Sequence, residues 1–159
     1  MRLIGELDES FTHRAKDTDG EWQLGHIAPL IGAGPGHYVI ERELWISKNN
    51  SVYTGIRKMV QVDTICRCTG TKDSTGTMVF ENDLLKDDFS GAIAQIRFGK
   101  YKQPGDDEFT EHIGFYADWQ GELARKMRKD LGFWINKAKA KIVGNTIDNQ
   151  DLLEEQDGR

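Results

Sequence analysis

The sequence alternates short apolar runs with clusters of turn-forming residues, and this spacing most constrains the fold. In residues 68–86, CTGTKDSTGTMVFENDLLK, a Lys-Asp-Ser-Thr-Gly turn leads into the run Met-Val-Phe, and Glu-Asn-Asp then turns the chain again. Gly76 is free to adopt a positive φ, and Asn82 is among the non-glycine residues that best tolerate one. Strands this short, joined by turns this tight, predict a small and strongly bent β-barrel.

The same pattern recurs along the rest of the chain. The Asp-Gly pair at residues 19–20 separates SFTHRA from EWQLGHI, and it is a hairpin signal because its glycine can take a positive φ. Further strand candidates are HYVIE, ELWIS, VYTGIRKMVQVDTICRCT, AIAQIRFG and EFTEHIGFYADW. We therefore predict a mainly β chain, with N-terminal β-hairpins ahead of the barrel.

One amphipathic helix is predicted near residues 120–131. Leu123, Met127 and Leu131 recur at spacings of four and form one apolar stripe, and Gly132 stands where a helix C-cap belongs. The following segment, FWINKAKAKIVGNTI, is expected to be extended. Asp148 could cap a last short helix over NQDLLEEQ.

The chain length of 159 residues fits a single domain. A chain of about 150 residues buries roughly 68–70% of its unfolded surface, so it folds without the help of disulfide bonds or a metal ion. We predict one unit over residues 1–159. The alternative is a division into N-terminal strands, residues 1–50, and a barrel with its C-terminal helix, residues 51–159, because the turn residues 48–51 form the weakest joint.

Composition predicts a cytoplasmic protein with no membrane association. Charged residues make up 30% of the chain, no apolar stretch reaches about 18 residues, and the start of the sequence lacks the apolar core of a secretory signal. The net charge of −5 argues against general nucleic-acid binding, which needs an excess of lysine and arginine.

A basic segment, residues 125–141, is the exception to this acidic balance. On an extended strand its last three lysines would share one face, where they could follow a phosphate backbone while nearby aromatic rings stack on bases. The alternative is a solvated face balanced by the acidic C-terminal residues. The candidate binding residues are Arg125, Lys126, Lys129, Trp134, Lys137, Lys139 and Lys141.

Three other motifs predict no catalytic, metal or cofactor site. Cys66 and Cys68 would point to one face of a strand as reduced thiols, and zinc would need two further ligands that the histidine spacing does not offer. The glycines of residues 32–36 lead into a strand-like run, whereas a phosphate loop needs a helix there. Glu81 and Asp83 belong to a turn, in which Asp83 is expected to accept local backbone N–H groups.

The ordered motifs of the chain resemble those of the YopX family of phage and prophage proteins. The resemblance lies in YTG followed by CTGTKDSTGTMVFENDLLK, in the closing IVGNTIDNQDLLEE, in the opening THRAKDTDGEWQLGHI and in HIGFYADW. It spans nearly the whole chain. Cys68, Asn82 and Gln150 stand where the family usually has an aromatic residue, a glycine and a proline.

The resemblance implies an SH3-like barrel from a phage genome, with no catalytic activity to carry over. Self-assembly is expected because small barrels expose edge strands that can pair with another chain. The sequence therefore favours a non-enzymatic phage accessory protein that binds a host or phage protein and forms a homo-oligomer. Exposed tryptophans and tyrosines would be its anchors. The alternative is a nucleic-acid-binding small barrel that uses the basic segment.

Overall fold

The structure is a computed structural model that describes residues 2–5, 12–46, 52–121, 124 and 126–157. Internal packing divides the chain into two compact units, Met1–Gly70 and Thr71–Arg159. Both are built mainly from antiparallel strands, so the prediction of a mainly β protein is confirmed. The joint expected at residues 48–51 lies outside the described residues, and the organisation as one unit stays a prediction.

The first unit contains the strands of the N-terminal hairpins. They pair antiparallel in the order β1-β4-β3-β2-β6, and β5 pairs with β4. A 3-10 turn, Val62–Thr64, precedes β6, which ends in the second unit. The strands are β1 (Arg2–Gly5), β2 (His13–Lys16), β3 (Trp22–Pro29), β4 (Tyr38–Ile46), β5 (Val52–Val60) and β6 (Cys66–Lys72).

The predicted hairpin at residues 19–20 is confirmed as the β2–β3 connection. Gly20 has φ +85°, as the turn requires. Asp17 is only 2% exposed, and its Oδ1 accepts the backbone N–H groups of Asp19 and Glu21, both at 3.0 Å. The turn is thus closed by a buried carboxylate next to a small core of Ala15, Ile40 and Val60.

The second unit holds a four-stranded antiparallel sheet in the order β10-β9-β8-β11, while β7 pairs with β6. Neither sheet closes on itself among the described strands, so the SH3-like barrel is not confirmed. The predicted C-terminal helix is confirmed as α1. The elements are β7 (Met78–Phe80), β8 (Asp83–Lys86), β9 (Ile93–Tyr101), β10 (His112–Trp119), a π-helix (Phe133–Lys137), β11 (Lys141–Asn145) and α1 (Asp151–Asp157).

The core of the second unit lies on one face of the β9–β10 pair. The register places Ala94 opposite Trp119 and Ile96 opposite Ala117, and all four side chains are buried. Because side chains alternate between faces, the same face continues outward to Phe98 and the residues beyond the core. The other buried members are Val79, Leu85, Ala92, Leu131, Trp134, Ile135 and Ala140.

The amphipathic helix predicted near residues 120–131 is wrong. Its described residues form turns and end in a β-bridge between Asp130 and Tyr116, and Leu123 lies outside the described part. This stretch is bonded instead to neighbouring elements, because Nε1 of Trp119 and Nε1 of Trp134 both donate to the carbonyl oxygen of Arg128, at 2.9 and 2.7 Å. The next carbonyl oxygen, that of Lys129, accepts the backbone N–H of Ala117 in β10 at 2.8 Å.

The helical residues begin instead at Leu131, so Gly132 lies in a first turn and not at a C-cap. Its φ of −59° is that of an ordinary right-handed helix. Asp130 Oδ1 accepts the backbone N–H of Phe133 at 2.8 Å, the bond that an N-terminal aspartate makes.

The segment FWINKAKAKIVGNTI, predicted to be extended, is helical over Phe133–Lys137 and extended only from Lys141. Burial of Trp134 and Ile135 holds this turn against the core. Lys139 has φ +59°, which ends the helical geometry. The lysines at 137, 139 and 141 therefore do not share a strand face, and this part of the prediction is wrong.

Candidate functional site

The carboxylate of Asp83 holds a turn, as predicted. It is 1% exposed, and its Oδ2 accepts the backbone N–H of Phe80 at 2.7 Å. The neighbouring Asn82 has φ +69°, and its Oδ1 accepts Nε2 of Gln95 at 2.9 Å. Asp83 is therefore a structural acceptor between β7 and β8.

Asp73 closes the β6–β7 turn in the same way. Its Oδ1 accepts the backbone N–H groups of Thr75 and Thr77 and the hydroxyl of Thr75, and its Oδ2 accepts the N–H of Ile142 in β11 at 2.9 Å. Burial acts to raise the pKa of Asp73, but these hydrogen bonds prevail and lower it. The turn includes Gly76 at φ +86°, which confirms its predicted positive φ.

Two further aspartate turns each display a phenylalanine. In the turn between β8 and β9, the sequence Asp-Asp-Phe-Ser places Phe89 at 99% exposure. Asp87 Oδ2 accepts both the backbone N–H of Ser90 at 3.0 Å and its hydroxyl at 2.6 Å, and Oδ1 accepts the N–H of Phe89 at 3.3 Å. We call residues 87–90 the Phe89 turn.

The β9–β10 loop repeats this arrangement with the sequence Asp-Glu-Phe-Thr. Phe109 is 91% exposed, and Asp107 Oδ1 accepts the N–H groups of Phe109 at 3.0 Å and Thr110 at 2.7 Å. Hydrogen bonds from the Thr110 hydroxyl, first, and from these backbone groups lower the pKa of Asp107. We call residues 107–110 the Phe109 turn.

These turns lie at opposite ends of β9. Nine residues at about 3.3 Å each separate the two ends by roughly 30 Å. The hydrogen bonds fix the backbone at each turn, so both phenylalanines are presented by ordered chain. Each turn therefore holds a large apolar side chain in water.

Hydrogen bonds also hold the rest of the loop that carries the Phe109 turn. Lys102 Nζ donates to the carbonyl oxygens of Asp107 at 3.3 Å and Glu108 at 2.7 Å. Asp106 Oδ2 accepts the backbone N–H of Gln103 at 2.6 Å and contacts Nε2 of His112 at 3.0 Å. The loop is therefore anchored at both of its ends.

Next to the Phe109 turn lies a shallow cleft, formed by the start of this loop and the segment before the π-helix. Gln103 joins the two walls, because its Oε1 accepts the N–H of Lys129 at 2.7 Å and its Nε2 donates to Asp130 at 3.3 Å. Two adjoining hollows, of about 350 and 260 Å³, make up what we call the basic cleft. Its lining includes Lys102, Gln103, Pro104, Ala124, Arg128 and Lys129.

The basic side chains of the cleft differ in whether a carboxylate of the same chain already neutralises them. Arg128 pairs with Asp130, at 2.7 Å between Nη2 and Oδ2, and its guanidinium lies 4.8 Å from the centre of the Phe133 ring. Lys129 makes no ion pair with any carboxylate in the described ranges. The positive charges of Lys129 and Lys102 therefore make the cleft basic.

The outer end of the β9–β10 hairpin adds further exposed apolar surface. Ile113 is 70% exposed and Phe98 is 42% exposed, on the face that forms the core further along the strands. Phe98 meets Phe115 edge to face, with ring centres 5.0 Å apart. The apolar face thus extends past the core towards the Phe109 turn.

The predicted binding residues do not form one surface. Arg125 lies outside the described residues, and Lys126, Lys137 and Lys139 are exposed. Trp134 is 7% exposed, so its ring is packed in the core. Lys141 Nζ pairs with Asp88 at 2.7 Å, whereas Lys129 contributes to the basic cleft.

The tryptophans expected as anchors differ in their surroundings. Trp119 and Trp134 are buried against each other, with ring centres 4.5 Å apart. Trp22 is half-buried, and the guanidinium of Arg14 lies 4.8 Å from its ring centre. The side chain of Trp45 is outside the described part.

Sequence reasoning missed the two exposed phenylalanines. A signal for them exists in the repeated pattern Asp, acidic residue, Phe, hydroxyl residue at 87–90 and 107–110. Both aspartates sit where a hydroxyl three residues on can bind them, which is the signature of a side-chain-closed turn.

Comparisons with known proteins bear on the fold. No family model and no curated protein matches the chain. Among solved structures, the chain is similar to protein EF1440 from Enterococcus faecalis, with 18% sequence identity and a TM-score of 0.55, over 89% of this chain and 96% of that chain. None of the described helices is long and apolar enough to cross a membrane. At this identity, the likeness to EF1440 shows a shared fold.

Proposed function

We propose that this chain is a phage accessory protein of the YopX type, a non-enzymatic module that binds proteins in the cytoplasm of the bacterial host and self-assembles. The observation that carries the proposal is the pair of nearly fully exposed phenylalanines on aspartate-closed turns. The motifs resembling the YopX family support the phage context and the expected SH3-like relationship.

A contact surface that is ordered before binding loses less conformational entropy when it binds. Aromatic side chains supply much of the energy of protein interfaces, and ordering a flexible loop on binding weakens an interface. At the Phe89 turn, Asp87 accepts two backbone N–H groups and the Ser90 hydroxyl, so the turn is already held in place. The turn therefore loses little conformational entropy when Phe89 enters a pocket of a partner.

The test is affinity purification of the tagged protein from phage-carrying cells, with nuclease treatment and mass spectrometry. We expect a nuclease-resistant protein partner that is lost from the Phe89→Ala variant. Ile31→Ala is the matched control, because Ile31 is a large apolar residue that is 91% exposed but lies in the other unit. Recovery of no specific protein, or equal loss with both variants, would contradict the proposal.

Nucleic-acid binding is the second candidate, and the basic cleft is the observation in its favour. Lys102 and Lys129 line it, and Lys126 is exposed nearby in sequence. Burial of Trp134 removes one of the two rings that the sequence offered for base stacking, and the other, Phe133, is half-buried. Binding to single- and double-stranded oligonucleotides that weakens steeply with salt would support this candidate. Salt-insensitive or absent binding would exclude it.

A further inference from the structure

We infer that two copies of this chain form a two-fold dimer in which the Phe109 turn of each copy enters the basic cleft of the other. The inference rests on the proposed function, because it specifies the surface that serves self-assembly. It assigns the Phe109 turn and the cleft to a second copy, and leaves the Phe89 turn to a different partner.

A protruding group and a hollow lie side by side on one surface. Lys102 lines the basic cleft, and its Nζ binds the carbonyl oxygen of Glu108, one residue before Phe109. In a two-fold interface each patch meets an identical patch, so a patch must be complementary to itself. A projection next to a hollow satisfies this requirement, because one rotation fills both hollows at once.

The charges of the two parts are also complementary. Glu108 is exposed beside Phe109, and the described residues include no basic group that forms an ion pair with its side chain. The cleft offers Lys129 and Lys102, whereas the charge of Arg128 is already offset by Asp130. An incoming Phe109 turn would bring the carboxylate of Glu108 to the lysines at the rim of the cleft.

Size and surroundings fit the same occupant. The larger hollow, of about 350 Å³ and lined by Gln103, Pro104 and Arg128, has room for one aromatic ring. Ile113, exposed at the base of the loop, adds apolar surface next to the projection. The bonds of Asp107 to Phe109 and Thr110 hold the turn in one conformation before it binds.

The first experiment measures the mass of the purified full chain by sedimentation over a range of concentrations. We expect a dimer of about twice 18.1 kDa. Phe109→Ala should raise the dissociation constant at least about tenfold, as truncation of an interface anchor does. Ile31→Ala is the control, since Ile31 is also 91% exposed but belongs to the first unit, and it should leave the dimer intact.

The second experiment tests the pairing of charges. Glu108→Lys and Lys129→Glu should each weaken the dimer, because each places like charges together across the interface. The double variant exchanges the two charges and should restore association. Raising NaCl from about 0.05 to about 0.5 M should weaken the wild-type dimer, since the Debye length shortens.

A monomeric wild-type chain would overturn the inference. So would a dimer whose dissociation constant is unchanged by Phe109→Ala, or a double charge variant that associates no more tightly than the two single variants. A monomer would also contradict the self-assembly in the proposed function, but none of these outcomes bears on the protein partner that Phe89→Ala is expected to lose. Conversely, a dimer with the stated mutational pattern stands even where affinity purification finds no other protein.

Discussion

Among single residues, Asp73 should be one of the costliest to remove from the second unit. We expect Asp73→Ala to lower the free energy of unfolding by about 2–3 kcal/mol, because it deprives backbone donors of a charged acceptor. One of these donors is the N–H of Ile142, which Asp73 ties to the turn. Urea denaturation measures the change. Asp63→Ala, at an exposed position, should stay within about 0.5 kcal/mol, and equal losses would contradict the assignment.

Gly76 tests the backbone of the same turn. A Cβ added there meets no atom within 4 Å, so the cost of a side chain comes from φ +86° and not from a clash. Gly76→Val should destabilise the protein by about 1 kcal/mol or more. Gly132→Ala, at φ −59°, is the matched control and should be neutral or stabilising. An unchanged melting temperature for Gly76→Val would contradict the argument.

Turn conformations and hydrogen bonds that depend on residues close in sequence could be predicted from the sequence. The positive φ of Gly76 and Asn82 and the acceptor role of Asp83 depend on neighbours within a few positions. The exposure of Phe89 was not predicted, because burial is decided by what packs against a turn from elsewhere in the chain.

At the scale of elements, the turn before the π-helix depends on the carbonyl oxygen of Arg128. Trp134→Phe keeps most of the apolar volume but loses the indole N–H donor, and we expect a loss of about 1 kcal/mol. The same change should speed hydrogen exchange at the N–H of Ala117, which bonds to the carbonyl oxygen of Lys129.

Amides of β10 that pair with β9 serve as the internal control for this exchange measurement. A double-mutant cycle with Trp119→Phe should show coupling, since both indoles donate to one oxygen. Strictly additive effects, or equal acceleration at all β10 amides, would show that the shared carbonyl does not organise this segment.

This segment also shows why helices were harder to predict than strands. Hydrophobic spacing favoured a helix near residues 120–131, whereas the carbonyl oxygen of Arg128 accepts hydrogen bonds from indoles of β10 and the π-helix. Local propensity is a weak prior when tertiary contacts offer the backbone other partners. Strand segments were predicted better because their turns are marked by glycine, asparagine and aspartate.

For the whole molecule, strand order could not be read from the sequence. The order β10-β9-β8-β11 brings residues near 85 against residues near 142, and the order β1-β4-β3-β2-β6 is equally non-local. Alternation identifies a strand and its buried face but leaves its neighbours open. The mainly β class was therefore predictable, whereas the arrangement into open sheets was not.

Aspartate-closed turns in both units imply that acid destabilises the whole protein. A hydrogen bond from Lys58, first among the causes, lowers the pKa of Asp17 to about 2 from 3.8. A carboxyl group whose pKa is lower in the folded state stabilises it fully above the unfolded value, and this contribution is lost as the pH falls towards the folded value. The pKa values of Asp73 and Asp107 are lowered too, so their contributions add in the same direction.

The urea midpoint should therefore be constant from about pH 5 to neutral and fall between about pH 4 and pH 2. At alkaline pH the opposite case holds for Lys58, because its bond to Asp17 raises its pKa above 10.5 and its contribution is lost as the pH rises further. Asp17→Asn should have a lower midpoint at pH 7 and a shallower decline in acid, whereas exposed Asp63→Asn should follow the wild type. Midpoints that match at pH 7 and pH 2.5 would show that these carboxylates do not couple protonation to folding.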